Sequence, residues 1–464
     1  MEHSTEITAA LEQSTEYWLG GDVYHYKNLP GTHLLDRLQP LTDWTTKRLD
    51  NGAEPYCKAT QGKIQHRTSA MDRAGRQYSG VNLASQDYLS LAGHSAIVTA
   101  ACEAAQNRGV HSAGSAALMG LTDTALKLES EIANWLGYKD ATVFPTGWGA
   151  GYGAIKALVR PGDHVVIDML AHACLMEGAY AATSNVHAFA HLSSKGLASR
   201  LERVRRDNPD VGILVVTESL FSMDADTPDL RHAVDVCHQY NATLMVDCAH
   251  DLGCMGADGL GHLSAQGVLG QVDIVMGSFS KTFASNGGFV ASNHPALKLA
   301  LRYTCGPQTF TNAMSPIQAA VVLKALEIVR SPEGQARRTK LLDNINFLRS
   351  NLQARGFVAL GAPSPIVPTV LGDSGLSRLI CGETLSGGAL VNLVEYPAVS
   401  RNTSRFRLQV MADHTEADLL EFCEILSAAK ISATARLEIL RASGTPTIEA
   451  TANADTPALE SSHA

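Results

Sequence analysis

The chain has 464 residues, 45% of them hydrophobic and 18% charged, with 37 Lys and Arg against 46 Asp and Glu for a formal charge of −9. This composition excludes a largely disordered chain and suits two or three domains, or one large α/β unit with a satellite, at roughly 150 residues per domain. The mild acidity gives no general attraction for nucleic acid or for an anionic membrane surface.

In chain order, residues 1–81 read as an N-terminal arm rather than a domain. Leu11 to Leu19 and Gly31 to Leu49 read as short helices, and Lys58 to Asn82 alternates like paired strands around the turn Asp72-Arg73-Ala74-Gly75. Met1-Glu2-His3-Ser4 has neither a basic nor an apolar leader region, so no signal peptide is expected. The nine cysteines are odd in number and form no C-x-x-C pair, which favours reduced thiols in a cytoplasm.

Residues 82–305 read as a large domain. Apolar runs recur at Ala141–Phe144, His164–Asp168, Val186–Phe189, Gly212–Thr217, Ala242–Asp247 and Val272–Met276. They are too short to span a bilayer. Amphipathic helices such as Asp123 to Leu136 and Asp229 to Tyr240 lie between them. Strands apolar on both faces and joined by helices predict an α/β fold with a mostly parallel sheet, whose ligands bind at the carboxyl ends of the strands. Residues 306–430 read as a smaller α+β domain with helices Ile317 to Val329 and Glu333 to Arg355 split at Ser331-Pro332. Residues 431–464, rich in Ala, Thr, Ser and Pro, read as a flexible tail.

Four strand ends carry residues with chemical potential. In Gly277-Ser278-Phe279-Ser280-Lys281-Thr282, a lysine follows a buried strand among small hydroxyl residues, with Gly287-Gly288 behind. A surface lysine is the bland alternative; a lysine at the ligand edge suits a Schiff base with an aldehyde cofactor. Asp247 ends the run Ala242–Val246, where a carboxylate either caps a helix or pairs with a pyridinium nitrogen. His250 and Cys254 lack further partners at metal-ligand spacing, so no metal is expected. Pro145-Thr146-Gly147-Trp148-Gly149 opens a helix, a place for phosphate, without the G-x-G-x-x-G of a dinucleotide site. His172 follows the fourth strand end, Asp168.

Together with Asn82–Leu89, Gly114–Glu129, Thr217–Asp224, Val246–Gly253 and Ser404-Arg405-Phe406-Arg407, these stretches resemble the α-oxoamine synthase family of fold-type I pyridoxal-phosphate enzymes. The likeness runs from about Gly31 to Lys430. Its members include serine palmitoyltransferase, 8-amino-7-oxononanoate synthase and 2-amino-3-ketobutyrate CoA ligase. The resemblance implies an aspartate-aminotransferase-like fold and pyridoxal 5'-phosphate as cofactor. The implied reaction is a decarboxylative condensation of a small amino acid with an acyl thioester, carried by coenzyme A or an acyl carrier protein, to an α-amino ketone. The stretch from Val391 to Pro397 is most like the serine palmitoyltransferase and ketobutyrate-ligase branches, favouring serine and a long-chain acyl group. Other acyl lengths with glycine or alanine, another reaction of the same cofactor such as transamination, and a catalytically silent partner subunit are the alternatives.

Residue by residue, the resemblance makes Lys281 the Schiff-base lysine and Cα acid/base, Asp247 the pyridinium partner and His172 the residue over the cofactor ring. It sets His250 and Ser222 at the phenolic oxygen, and Gly147, Trp148 and Ser278 at the phosphate. Arg407 would clamp the amino-acid carboxylate, with Arg405 on the same strand face as the rival, and Gln86 would lie next to the amino acid. Thr311 and Asn312 would reach the phosphate of a neighbouring subunit, implying a homodimer with a shared site. Gln86, Ala125, Cys248, Ser278 and Asn312 depart from the residues usual in the family.

Overall fold

The structure, a computed structural model, describes residues 18–442. The N-terminal arm supplies β1 (Ala59–Gln61), β2 (Arg67–Met71) and β3 (Gln77–Asn82); β2 and β3 form a hairpin closed by the expected turn at Asp72–Gly75. The large domain supplies β4 (Asp140–Phe144), β5 (His164–Asp168), β6 (Val186–Phe189), β7 (Ile213–Glu218), β8 (Thr243–Asp247), β9 (Ile274–Ser278) and β10 (Gly288–Ser292). The C-terminal part adds β11 (Ile366–Gly372), β12 (Ala389–Leu390), β13 (Leu393–Val394) and β14 (Ser404–Gln409).

The central sheet has seven strands in the order β4-β10-β9-β8-β7-β5-β6. Strands β5 to β9 pair in parallel and β10 runs antiparallel between β4 and β9. The period of two explains why the strands read as unbroken apolar runs. Leu244 and Val246 of β8 enter one core with Val215 and Val275, while Met245 enters the other with Val216 and Met276. Helices such as Gly147–Leu158 and Asp123–Leu136 complete the layers. Every parallel strand therefore ends, at its carboxyl terminus, on one edge.

The arm is not separate from the small domain. β12 pairs in parallel with β3, and the backbones approach so closely that a Cβ on Gly80 would sit 1.7 Å from the Gly388 oxygen. Beneath this sheet the buried Arg48 and Arg378 are paired with the buried Glu54 and Glu395.

Three sequence expectations change. The helix expected over Gly31–Leu49 begins only at Gln39, after a 3-10 turn at Asp36–Leu38, where Pro40 suits the first turn of a helix. The expected tail boundary at 431 falls inside the helix Glu416–Ala442: Ala433 is buried, and Arg436 Nη2 donates to the Asn51 carbonyl at 2.7 Å. Alanine, the best helix former, carries the helix into a stretch whose composition reads as a flexible tail. The strand β10 went unrecognised because its leading glycine, Gly288, belongs to a Gly-Gly pair that reads as loop. The helix expected at Leu11–Leu19 lies almost wholly outside the described residues, and its last two, Trp18 and Leu19, are in a turn.

Candidate active site

The carboxyl ends of β4, β5, β7, β8 and β9 surround a cavity of about 290 Å³ lined by Gly147, Trp148, His172, Glu218, Asp247, His250, Ser278 and Lys281, among others. The four strand ends singled out in the sequence thus meet in one place. A second cavity of about 430 Å³ shares Ser280, Lys281 and Asn286 with the first and adds Gln86 and Gln318. Lys281 is the common wall.

Burial sets the electrostatics. The Lys281 ammonium is held below its ordinary pKa by desolvation and by Arg407, against the pull of Asp247 and Glu218. A larger neutral amine fraction favours attack on an aldehyde. Asp247 is raised to about 6, chiefly by burial, and its Oδ1 accepts the Ala249 N–H at 2.9 Å. A buried carboxylate in this state is stabilised by a cationic ring nitrogen brought against it. Glu218, its register partner on β7, is likewise raised by burial and by Asp247.

The two histidines are fixed by their partners. The Tyr88 hydroxyl lies 2.9 Å from His250 Nδ1, and burial with the nearby Lys281, Arg407 and His172 charges pushes His250 down. The imidazole is therefore neutral; in the tautomer that accepts from tyrosine at Nδ1, its proton is on Nε2, free to donate to an oxygen. His172 caps the helix Ala173–Ala182, accepting the Cys174 N–H at Nδ1, and its backbone N–H donates to Glu218 Oε1 at 2.6 Å. Burial, Lys281 and Arg407 lower it to about 4, so it too is neutral near pH 7. Its ring meets Trp148 edge-on at 5.9 Å.

The residues present fit a phosphorylated pyridine aldehyde. Thr146 caps the helix Gly147–Leu158, whose first turn faces the cavity, and the Ser278 and Ser280 hydroxyls stand 2.8 Å apart beside it. A Cβ on Gly147 would lie 2.5 Å from Ser278 Oγ, so glycine keeps this cradle open. The buried Arg407 Nε has no hydrogen-bond partner, while the guanidinium acts on the Tyr88 hydroxyl and its charge on Lys281, His172 and His250. An orphaned buried donor among these groups is a place for an anion.

Several expected residues lie elsewhere. Arg405 is committed to Asp224 by an ion pair and to the Met223 carbonyl at 3.1 Å, so it is removed from the substrate set despite sharing a strand face with Arg407. Ser222 is half-buried on the loop after β7 and does not line the cavity. Thr311 and Asn312 are exposed: Thr311 donates to the Pro307 carbonyl, and Asn312 meets His111 at 3.2 Å. Among the described residues, no group of three or more His, Cys, Asp or Glu is arranged to hold a metal. The sequence reading missed Tyr88, Cys174 and Glu218. Glu218 was legible by the rule that found Asp247, a carboxylate closing an apolar run at the ligand edge.

Comparison with known proteins agrees with this geometry. Residues 78–426 match the family "Aminotransferase class I and II". The 8-amino-7-oxononanoate synthase of Salmonella arizonae is 33% identical over 356 residues, covering 76% of this chain and 90% of the relative. That of Geobacter metallireducens is 33% identical over 346 residues, 75% and 88% of the two chains. The serine palmitoyltransferase of S. paucimobilis, solved as a variant with a bound pyridoxal-phosphate adduct of myriocin, superposes with a TM-score of 0.80 at 29% identity, covering 87% of this chain and all of the other. The Sphingomonas wittichii serine palmitoyltransferase gives 0.81 at 27% identity over the same shares.

Proposed function

The chain belongs to the α-oxoamine synthase family, pyridoxal-phosphate acyltransferases of the aminotransferase class I and II fold, and on that premise we propose that it condenses L-serine or another small amino acid with a long-chain acyl-CoA. The observation that carries the amino-acid half is Arg407, whose buried Nε lacks a partner and whose charge acts on Lys281. When bound, pyridoxal 5'-phosphate supplies the electron sink for Cα deprotonation and decarboxylation.

The chain's own residues do the rest. Lys281 Nζ is the amine to hold the aldehyde carbon, and later the base that moves the Cα proton. The Asp247 carboxylate holds a proton on the ring nitrogen. His250, on the cavity wall, would donate Nε2–H to the phenolic oxygen. His172 covers the ring face. Arg407 grips the substrate carboxylate in a charge-assisted fork, which fixes the Cα–H bond and later releases the carboxylate as CO₂. Atoms balance: amino acid plus acyl thioester gives α-amino ketone, CO₂ and free thiol.

An exposed apolar patch supports a homodimer. Leu118, Met119, Tyr303 and Phe310 are exposed around Thr311 and Asn312, with Met119 at 94% and Phe310 at 90%. Such a patch needs a cover, and one from a second copy would bring Thr311 and Asn312 to the partner's phosphate. All nine cysteines are free, in keeping with a reducing cytoplasm, and among the described residues no helix is long and apolar enough to cross a membrane.

The identity to 8-amino-7-oxononanoate synthases favours a second reading, alanine or glycine with a shorter acyl chain. A matrix of single amino acids against acyl-CoA of increasing length, read as CO₂ and free thiol, decides. Turnover with serine and palmitoyl-CoA alone supports the first reading; turnover confined to short chains supports the second. Amino-group exchange without thiol release would refute both.

A further inference from the structure

Outside the cavity wall lies a charged cluster that the chemistry above does not use. His191, just past β6, stands between two carboxylates. Its Nδ1 is 2.9 Å from Asp168 Oδ1, and its Nε2 is 3.2 Å from both oxygens of Asp226. Its ring meets Phe221 edge-on with centroids 4.5 Å apart.

Each carboxylate organises a segment that leads to the site. Asp168 is fully buried at the end of β5. It accepts the Leu170 and Leu192 N–H groups, and its carbonyl accepts from Ala171, which shapes the turn running directly into His172. Asp226 closes the loop Phe221–Asp226, its carbonyl accepting the Phe221 N–H at 2.9 Å. This loop carries Ser222. From its far side Arg405, on the strand of Arg407, binds Asp224 and the Met223 carbonyl.

The backbone on both sides of the cluster is strained. Leu192 and Ala225 each hold φ of +56°, a left-handed conformation that favours glycine. Such residues persist only where their surroundings over-determine them. Leu192 is held through Asp168, and Ala225 through the Phe221 carbonyl, which accepts its N–H at 3.0 Å.

We infer that His191 is a positioning residue: bridging Asp168 and Asp226, it locks the Phe221–Asp226 loop to the turn that aims His172, while Arg405 ties the same loop to the strand that aims Arg407. The two carboxylates raise the imidazole to about 10, which keeps it a doubly donating cation through neutral pH. Among the described residues, neither flanking carboxylate is paired with another side-chain cation.

The inference rests on the proposed roles of His172 and Arg407, and its test separates the two. Amide hydrogen exchange is measured on the cofactor-free full chain of His191→Gln, with Asp226→Asn as the milder variant should the first fold poorly. Exchange in 169–172 and 221–226 is expected to quicken by about tenfold while β7 and β8 keep their protection. With cofactor, KM for the amino acid is expected to rise by about tenfold and KM for the thioester to stay fixed, within the range of coupled networks. Unchanged exchange, exchange rising uniformly over the chain, or local loosening without a change in amino-acid KM would each overturn the inference. A Lys281→Ala protein that still turns over would instead sink the functional reading and leave the exchange result standing.

Discussion

Cavities lie at both ends of the seven-stranded sheet, and the one at the far edge, larger than either at the carboxyl edge, is not the site. The cavity at the far edge, bounded by Asp163, Gly212, Thr243, Asp273, Asn293 and Ala300, measures about 640 Å³ against about 290 Å³ at the carboxyl edge. Its polar groups are already satisfied. Asp163 binds Arg160 and the Gly212 N–H, Asp273 accepts the Leu244 N–H, and Asn293 bridges Lys139 and Gly270. The smaller cavity gathers Lys281, Asp247, Glu218, His172 and His250, all shifted by burial. Unresolved electrostatic conflict, rather than volume, marks where a ligand is required.

The sharpest way to break that contrast is Lys281→Ala. It removes the one amine common to both carboxyl-edge cavities. Turnover is expected to fall on the order of a thousandfold or more, with cofactor retention through gel filtration falling with it. Normal turnover would dissolve the site. No change at the far edge approaches this effect.

Next comes a comparison within one strand. Arg407→Ala is expected to weaken amino-acid affinity by roughly two to three orders of magnitude, since truncating one partner of a buried charge pair costs about 2–5 kcal/mol. Its melting temperature should move less than that of Arg405→Ala, because its Nε bonds nothing and its guanidinium meets only the Tyr88 hydroxyl, a neutral partner. Arg405→Ala should do the reverse. Its ion pair with Asp224 is buried on the arginine side and partly exposed on the other, so a loss of about 2 kcal/mol is expected, between the surface and buried limits. Equilibrium titration and thermal melts of both variants separate the two roles. The sequence showed only that the two arginines share a face; which one is left with an unpartnered donor depends on Asp224, a residue far along the chain.

That limit recurs. The strands, the edge they share and the four chemical strand ends were legible because a buried strand and the charge that closes it are local in sequence. What escaped was set by distant partners. Asp168 looks like a simple strand terminus, and His191 like a loop histidine, until the fold brings them together with Asp226. The helix running past residue 431 was hidden because its support comes from Asn51 at the other end of the chain. Tyr88 entered the site only through its contact with His250.

A smaller effect follows from His191. Its pKa in the folded protein is raised to about 10 from an ordinary 6.5. A raised histidine contributes stability that is complete below the unfolded value and is lost as pH rises through the folded one. The stability advantage of the wild type over His191→Gln is therefore expected to be largest below pH 6.5, to shrink across the interval and to vanish above about 10. Denaturant unfolding at three pH values checks this; an advantage that grows with pH would mean that the imidazole is neutral between its carboxylates.

The smallest effect belongs to the far cavity. Ala300, in the helix Leu297–Thr304, is half-buried on its wall. Ala300→Leu adds three carbons directed at open volume, and each buried methylene is worth about 0.8 kcal/mol. Part of the new side chain stays in contact with solvent, and ordering it costs about 0.5–1 kcal/mol. The net change in stability is expected to be within about 1 kcal/mol, on the stabilising side. Because the wall is separated from Lys281 by the full length of the sheet, kcat and the amino-acid KM should be unchanged. A loss of turnover in a stably folded Ala300→Leu would show that the two ends of the sheet are coupled. The larger cavity would then join the working parts of the enzyme, and the contrast between a satisfied edge and an unsatisfied one would no longer hold.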